Sequence, residues 1–366
     1  MSKNFYKKYA ELLCGYCLNI QKGEHVLIKS TPIATPLLKE LHKVITQKEA
    51  FAEYMLSFEQ QDAIFYENST KEQRENTPLI HNYAVKKTNA ILTIKAPYDI
   101  AALKYIPESA KRDRSKAIKP IKKTIFSRSA KKDLKWCLCV FPNASMAANG
   151  NMSVSDYEKF VFKTCFLDKE NPELAWKELS AFQEKLICML NKKKQFHILG
   201  PDTNLHFSCK NRIWINSDGK RNMPSGEVFT GPVENSVNGK ITFSYPSIYE
   251  GREIAYVTLV FKNGIIVDFD AKMGKDVLET VLKIPGANRL GEIAFGTNLH
   301  IQRATKEILF DEKIGGSIHA AIGASYPETG GKNKSAIHWD MIKDMSQGQV
   351  FADNELIYEN GIFLAS

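Results

Sequence analysis

The sequence has few cysteines, no long apolar run and no N-terminal segment of the signal type. Seven cysteines are an odd and sparse number for 366 residues, which does not fit the disulfide framework of a secreted protein. The most apolar stretch, Trp136–Phe141, ends after six residues at Pro142, whereas a membrane span needs roughly 18. Lys7, Lys8 and Glu11 interrupt the first apolar positions, so a continuous signal-peptide core is missing. We therefore expect a cytoplasmic protein with no membrane partner.

Motifs for nucleotide binding, serine catalysis and paired-cysteine zinc sites are missing or incomplete. No Gly-x-Gly-x-x-Gly occurs, and in Gly330–Asn333 an asparagine stands where a phosphate-binding loop needs serine or threonine. The Gly-x-Ser-x-Gly motif of activated serines is also missing. Cys14 and Cys17 have zinc-like spacing but no second ligand pair nearby, and Cys137 and Cys139 alternate along a strand pattern. We interpret these cysteines as packed core residues.

The positive charge is concentrated in one segment. The whole chain carries 50 basic and 41 acidic residues, and eleven of the bases lie between Lys111 and Lys135, so the remainder is balanced. The segment fits a solvated helical face or loop. It also fits a surface that attracts anionic groups such as peptide carboxylates. Nucleic acid is the least favoured partner, because Phe126 is the only aromatic residue there and single-strand binders use several.

Periodicity predicts two domains of different architecture. Runs at His25–Lys29, Ala52–Phe58, Ala90–Lys95 and Lys135–Phe141 resemble buried strands, and helical stretches between them indicate a mostly parallel sheet. From Gln195 onward the chain has short alternating runs with turn signals at Asn238-Gly239 and Asn263-Gly264. We expect an α/β domain at 1–192 and a mixed, largely antiparallel, β-rich α+β domain at 193–366.

Five short stretches in the second half carry acids and histidines in settings rich in glycine, serine or proline. A lone Glu or His in such a setting is more often a surface residue. Strand alternation nevertheless places His338 and Asp340 on one face and Trp339 on the other. Imidazole nitrogen and carboxylate oxygen without thiolate suit zinc, cobalt, manganese or iron, and further carboxylates can bridge a second ion.

Taken together, these stretches resemble the thermophilic metalloprotease family, which includes aminopeptidases T and S. The resemblance is dense over residues 220–345 and loose over the N-terminal half. It is carried by the order and combination of Pro-Ser-Gly-Glu-Val-Phe-Thr (224–230), Gly-Glu-Ile-Ala-Phe-Gly-Thr-Asn (291–298), Leu-Phe-Asp-Glu-Lys (309–313), Ile-His-Ala-Ala-Ile-Gly-Ala-Ser-Tyr (318–326) and Ile-His-Trp-Asp (337–340).

The resemblance implies an aminopeptidase that uses two divalent ions (Zn, Co or Mn) per chain and forms a homodimer. It makes 193–366 the metal-binding catalytic domain. It places Tyr326 beside the metals, where the phenol could donate a hydrogen bond to the tetrahedral oxyanion. Either Glu227 or Glu292 could take the proton of the attacking water. The interval from Glu312 to His319 is seven residues, whereas the aminopeptidase T motif has a shorter interval between its Asp-Glu pair and the histidine. Glu312 is therefore the ligand position that departs from the family pattern. The positions that match the family's metal ligands are Glu227, Glu292, Glu312, His319, His338 and Asp340.

Two other functions fit parts of the sequence. His319, His338 and Asp340 alone form the two-histidine, one-carboxylate set of mononuclear non-haem iron oxygenases. Alternatively, the basic segment 111–135 could serve a non-enzymatic binding module with salt-sensitive association. For the aminopeptidase itself, we expect the same segment to favour peptide substrates that are short or acidic.

Overall fold

The computed structural model describes residues 3–249 and 251–364. The chain forms two compact units, Met1–Ala175 with Gly219–Pro224, and Trp176–Asp218 with Ser225–Ser366. A boundary near residue 192 stays a prediction from the sequence. Among the described residues, no helix combines the length and the apolar composition that crossing a lipid bilayer requires. All seven cysteines are free, and Cys188 is the exposed one.

The described secondary structure is as follows. The helices are α1 (Lys3–Leu12), α2 (Thr35–Gln47), α3 (Gln61–Asn68), α4 (Lys71–Glu75), α5 (Leu79–Lys87), α6 (Glu108–Ala130), α7 (Ala144–Asn149), α8 (Val154–Thr164), α9 (Pro172–Leu190), α10 (Lys275–Leu282) and α11 (Ile308–Asp311). The strands are β1 (His25–Ser30), β2 (Phe51–Leu56), β3 (Ala90–Lys95), β4 (Lys135–Val140), β5 (Gln195–Gly200), β6 (Thr203–Ser208), β7 (Ile215–Ser217), β8 (Asn222–Met223), β9 (Glu227–Thr230), β10 (Asn238–Thr242), β11 (Ser247–Tyr249), β12 (Arg252–Lys262), β13 (Ile265–Met273), β14 (Leu290–Gly296), β15 (Ser317–Gly323), β16 (His338–Asp344), β17 (Gln349–Ala352), β18 (Glu355–Glu359) and β19 (Ile362–Phe363).

The first unit contains a parallel sheet in the order β2-β1-β3-β4-β8. This confirms the α/β architecture with a mostly parallel sheet. The prediction that β2 is buried was wrong, because the strand lies at the sheet edge and Phe51 and Leu56 are exposed. An apolar run shows that a segment favours a strand, but it does not reveal whether the strand pairs on one side or on both.

Most of the basic segment forms the long helix α6. The helix buries the small or apolar side chains of Ala110, Ala117 and Ile121 together with Asp113, whose carboxylate lies 3.4 Å from Arg74. Arg128 donates hydrogen bonds of 2.8 and 2.7 Å to the carbonyls of Val85 and Thr88. Part of the charge in this segment therefore stabilises the first unit itself.

The second unit contains two largely antiparallel sheets, which confirms the β-rich architecture. One has the order β11-β12-β10-β6-β5-β17-β18-β19 with β13 beside β12, and the other has the order β16-β15-β14-β9-β7. The hairpin predicted at Asn263-Gly264 joins β12 and β13, and both residues have positive φ, as a two-residue type I′ turn requires. The turn predicted at Asn238-Gly239 was wrong. These residues begin β10, where a Cβ on Gly239 would lie 2.1 Å from the Asn204 carbonyl oxygen.

Candidate metal centre

Four strands of the β16-β15-β14-β9-β7 sheet direct acids and histidines to one face. Successive residues of a strand point to opposite faces, and on each of these four strands the neighbours of the polar residues pack into the apolar core. Core residues next to the polar positions are Val228 on β9, Ile293 on β14, Ile318 and Ala320 on β15, and Trp339 and Met341 on β16. The opposite face carries Glu227, Glu292, His319, His338 and Asp340.

These five side chains form two groups of potential ligands that share one carboxylate. One group is Glu227, Glu292 and His319, and the other is Glu292, His338 and Asp340; within each group the ligand atoms lie within 4.8 Å of one another. The two oxygens of Glu292 face different imidazoles. Oε1 lies 3.3 Å from His319 Nε2, and Oε2 lies 3.1 Å from His338 Nε2. Glu292 is therefore the one carboxylate that the two groups share, with one oxygen toward each histidine.

Both histidines are oriented by the backbone. His319 Nδ1 lies 2.7 Å from the Glu312 carbonyl oxygen, and His338 Nδ1 lies 2.8 Å from the Ala324 carbonyl oxygen. Because a carbonyl oxygen can only accept, each Nδ1 carries the proton and donates it. Each Nε2 therefore points toward the carboxylates. When this nitrogen is protonated it donates to them, and when a cation displaces the proton its lone pair is free to bind the cation, which is the usual orientation of a metal-binding histidine.

Glu227 is fixed through its own backbone as well as through its strand. On β9, Glu227 pairs with Gly296 of the neighbouring strand β14. The side-chain amide of Gln183, a fully buried glutamine on α9, donates a hydrogen bond to the Glu227 carbonyl oxygen. Strand pairing with Gly296 on one side and Ser217 on the other, together with the buried amide, holds this residue in place beside the cluster.

Glu312 lies beside the cluster but belongs to neither group of three. Its carboxylate accepts a hydrogen bond from the Lys313 ammonium, and burial raises the pKa of Glu312 to about 8. Lys313 is fully buried, and its Nζ also lies 3.7 Å from Glu227 Oε1. The sequence interpretation gave Lys313 no role. Its apolar neighbours Phe310 and Ile314 were the only signal that this lysine is not a solvated surface charge.

Tyr326 lies against one histidine of the cluster. Its ring centroid is 4.9 Å from that of His338 and 5.5 Å from that of Phe229, and 40% of the residue is exposed. Desolvation, and then the charges of Glu292 and Asp340, raise the pKa of the Tyr326 phenol above its usual value. The hydroxyl group therefore keeps its proton and stays available as a donor.

Burial and mutual charge shift the pKa values of the clustered groups in opposite directions. Burial would lower the pKa of His319, but its hydrogen bond with Glu292 and the charge of Glu227 raise it to about 9. Burial also disfavours charged His338, yet Asp340 and Glu292 raise its pKa to about 12. Burial would raise the pKa of Asp340, but the charge of His338 lowers it to about 2. These carboxylates attract positive charge strongly enough to overcome desolvation, as a cation site requires.

Unsatisfied oxygens in the cluster also fit cations. Among the described residues, Glu227 Oε2 and Asp340 Oδ1 are buried and have no hydrogen-bond partner. A buried carboxylate oxygen without a partner is costly, and a divalent ion would satisfy it. The donor set of imidazole nitrogen and carboxylate oxygen matches zinc, cobalt and manganese.

Known proteins resemble this chain over most of its length. The thermophilic metalloprotease (M29) family profile matches residues 2–363. The chain is 28% identical to aminopeptidase PepS of Streptococcus thermophilus, over 94% of this chain and 93% of that protein. It is 26% identical to aminopeptidase 2 of Geobacillus stearothermophilus, over 87% of this chain and 83% of that protein. The solved structure of wild-type AmpT from Thermus thermophilus superposes with a TM-score of 0.85 at 22% identity, covering 99% of this chain and 100% of that one. This last likeness shows the fold.

Proposed function

Because the chain belongs to the thermophilic metalloprotease family, we propose that it is a metallo-aminopeptidase that removes N-terminal residues from peptides with water activated by two divalent ions. Family membership makes it a peptide hydrolase that uses metal. The names of the relatives PepS and aminopeptidase 2 support release of residues from the N-terminus. Both relatives match over most of their own length, so the likeness is not confined to one domain.

One observation carries the two-ion part of the proposal. Glu292 belongs to both groups of three, and its two oxygens face different imidazoles at 3.3 and 3.1 Å. A carboxylate in a site for a single ion has no need of a separate imidazole for each oxygen. We assign Glu227, Glu292 and His319 to one ion, and Glu292, His338 and Asp340 to the other. The ions would be zinc, cobalt or manganese.

When bound, the pair of cations would polarise the scissile carbonyl and lower the pKa of a water molecule toward neutrality. Side chains of the protein would then transfer the proton of the attacking water. Glu227 is the better general base of the two carboxylates considered, because it belongs to only one group of three, whereas Glu292 belongs to both. Glu227 would accept the proton of the attacking water and pass it to the leaving amine. The Tyr326 hydroxyl would donate a hydrogen bond to the oxygen that gains charge in the transition state.

The two other functions are less well supported. An iron oxygenase built on His319, His338 and Asp340 would leave Glu227 and Glu292 without a role, and the two histidines fall in different groups of three. A non-enzymatic binding module based on segment 111–135 would need none of the cluster. Membership of a metalloprotease family favours the peptidase over both.

Hydrolysis of aminoacyl arylamides tests this proposal. We expect protein stripped of metal with a chelator to lose activity and to regain it with Zn, Co or Mn. We also expect substrates with a free α-amino group to be cleaved at least about 100-fold faster, by kcat/KM, than the same compounds with an acetylated amine, because an exopeptidase must recognise that amine. Equal rates on both would contradict the aminopeptidase assignment, and turnover that requires ferrous ion and oxygen would favour the oxygenase.

Three further expectations from the sequence stay proposals. We propose a homodimer, which sedimentation or small-angle scattering would test. We propose a reducing, cytoplasmic location, which is supported by the seven free cysteines. We also propose that short or acidic peptides are preferred, which is supported by the excess of basic residues on α6.

A further inference from the structure

Lys313 is a buried cation beside the acids of the candidate metal centre, and a protonated ammonium group cannot itself bind a metal ion. Its side chain is 0% exposed. The ammonium contacts the Glu312 carboxylate and lies 3.7 Å from Glu227 Oε1. Among the described residues, it forms no ion pair within 4.0 Å with Glu292 or Asp340. Lysine is rarely buried without a specific partner, so a fully enclosed ammonium among these acids needs an explanation.

The backbone holds Lys313 in this position. Its backbone amide donates a 2.9 Å hydrogen bond to the Phe310 carbonyl oxygen, and its carbonyl oxygen accepts one of 3.3 Å from the backbone amide of Asn298. Ile314, the next residue, lies very close to β14. A Cβ on Gly296 of that strand would be 2.1 Å from the Ile314 carbonyl oxygen. The ammonium therefore cannot reach solvent unless the segment after α11 moves away from the sheet.

The contacts of Lys313 affect the two ligand groups differently. It occupies the carboxylate of Glu312, the one matched acid that lies outside both groups. It also stands next to Glu227, which belongs only to the group with His319. An ion bound at Glu227, Glu292 and His319 would thus have a fixed positive charge as a neighbour and would lack Glu312 as a ligand. The charge of Lys313 also acts on Asp340, but among the described residues Lys313 forms ion pairs within 4.0 Å only with Glu227 and Glu312. The group of Glu292, His338 and Asp340 is therefore less affected.

We infer that Lys313 makes the two ions unequal, so that the ion held by Glu227, Glu292 and His319 binds more weakly than the ion held by Glu292, His338 and Asp340. This inference rests on the proposed two-ion centre. Like charges a few ångströms apart in a protein interior of low dielectric repel each other. This repulsion is enough to raise the dissociation constant of the metal ion by about tenfold or more. The weaker ion would be the first to leave during dialysis, and its supply would control the active fraction of the enzyme.

Metal affinity in variants that keep one group at a time tests the inference. Asp340→Asn disables the group with His338, so the Kd of the remaining Zn²⁺, measured by equilibrium dialysis against buffered metal, reports the group near Lys313. We expect Asp340→Asn/Lys313→Met to bind that ion about tenfold or more tightly than Asp340→Asn alone. In the reciprocal background, Glu227→Gln, adding Lys313→Met should change the Kd of the remaining ion less than about threefold.

Lys343→Met is the matched control for loss of a buried lysine. Lys343 is 2% exposed, lies on β16 of the same unit, and donates to the carbonyls of Pro201 and Thr242 at 3.0 and 3.2 Å. We expect it to leave both dissociation constants unchanged. Unchanged or weaker binding in Asp340→Asn/Lys313→Met, or equal tightening in both backgrounds, would overturn the inference while leaving an active two-ion enzyme intact. A wild-type chain that binds no divalent ion and cleaves no peptide would instead overturn the proposed function, and the inference with it.

Discussion

Glu292→Gln is expected to lower kcat/KM by about 10⁴-fold, the largest effect of any single substitution in this protein. Glu292 is shared by both groups of three, so the amide weakens both cation positions at once. The loss corresponds to about 5.5 kcal/mol of transition-state stabilisation, within the range that metal-ion catalysis supplies. Metal content, measured by mass spectrometry of the dialysed protein, should fall from two ions to less than one per chain.

Asp344→Asn is the control for Glu292→Gln. Asp344 lies on β16 with His338 and Asp340 but outside both groups, and its carboxylate accepts hydrogen bonds of 2.9 Å from the Ser346 amide and hydroxyl groups. We expect this variant to keep both ions and a kcat/KM within about twofold of wild type, as for most substitutions outside a site. If Glu292→Gln kept two ions and lost less than tenfold in kcat/KM, Glu292 could not be the shared ligand.

Tyr326→Phe is expected to lower kcat by roughly 10²–10³-fold, the usual cost of removing one donor to a developing oxyanion. KM should change by less than about threefold and both ions should remain, because the interaction forms only in the transition state. Phenylalanine preserves the ring contacts with His338 and Phe229, so the variant reports on the hydroxyl group alone.

Tyr256→Phe is the control for Tyr326→Phe. Tyr256 lies in the same unit on β12, is 52% exposed and has Lys272 over its ring at 4.6 Å. Removing its hydroxyl group should leave kcat unchanged. An equally unchanged kcat in Tyr326→Phe would assign Tyr326 a packing role only, and would remove the proposed oxyanion donor from the mechanism.

The sequence predicted which side chains share a face of a strand, but it did not predict which strands lie next to each other. Alternation along Ile337–Asp340 predicted that His338 and Asp340 share a face, because side-chain direction in a strand is a local property. Nothing local brings Glu227 next to Gly296, since that pair belongs to the non-local register of β9 and β14. The quoted motifs of the metalloprotease resemblance supplied this link between distant segments.

Other features could not be predicted because they depend on packing. Lysine is usually a surface residue, and only the folded structure shows that Lys313 is buried. Asn238-Gly239 has turn chemistry, yet the glycine serves the close approach of β10 to β6. The return of Gly219–Pro224 to the first unit, where β8 extends the parallel sheet, has no compositional mark in the sequence.

The central claim is that two cations share Glu292, and anomalous diffraction from crystals grown with Zn²⁺ tests it most directly. Data collected at the zinc edge should show two peaks per chain about 3.5–4 Å apart. One peak should lie against Glu227, Glu292 and His319, and the other against Glu292, His338 and Asp340. A single peak, or two peaks that do not both contact Glu292, would contradict this account.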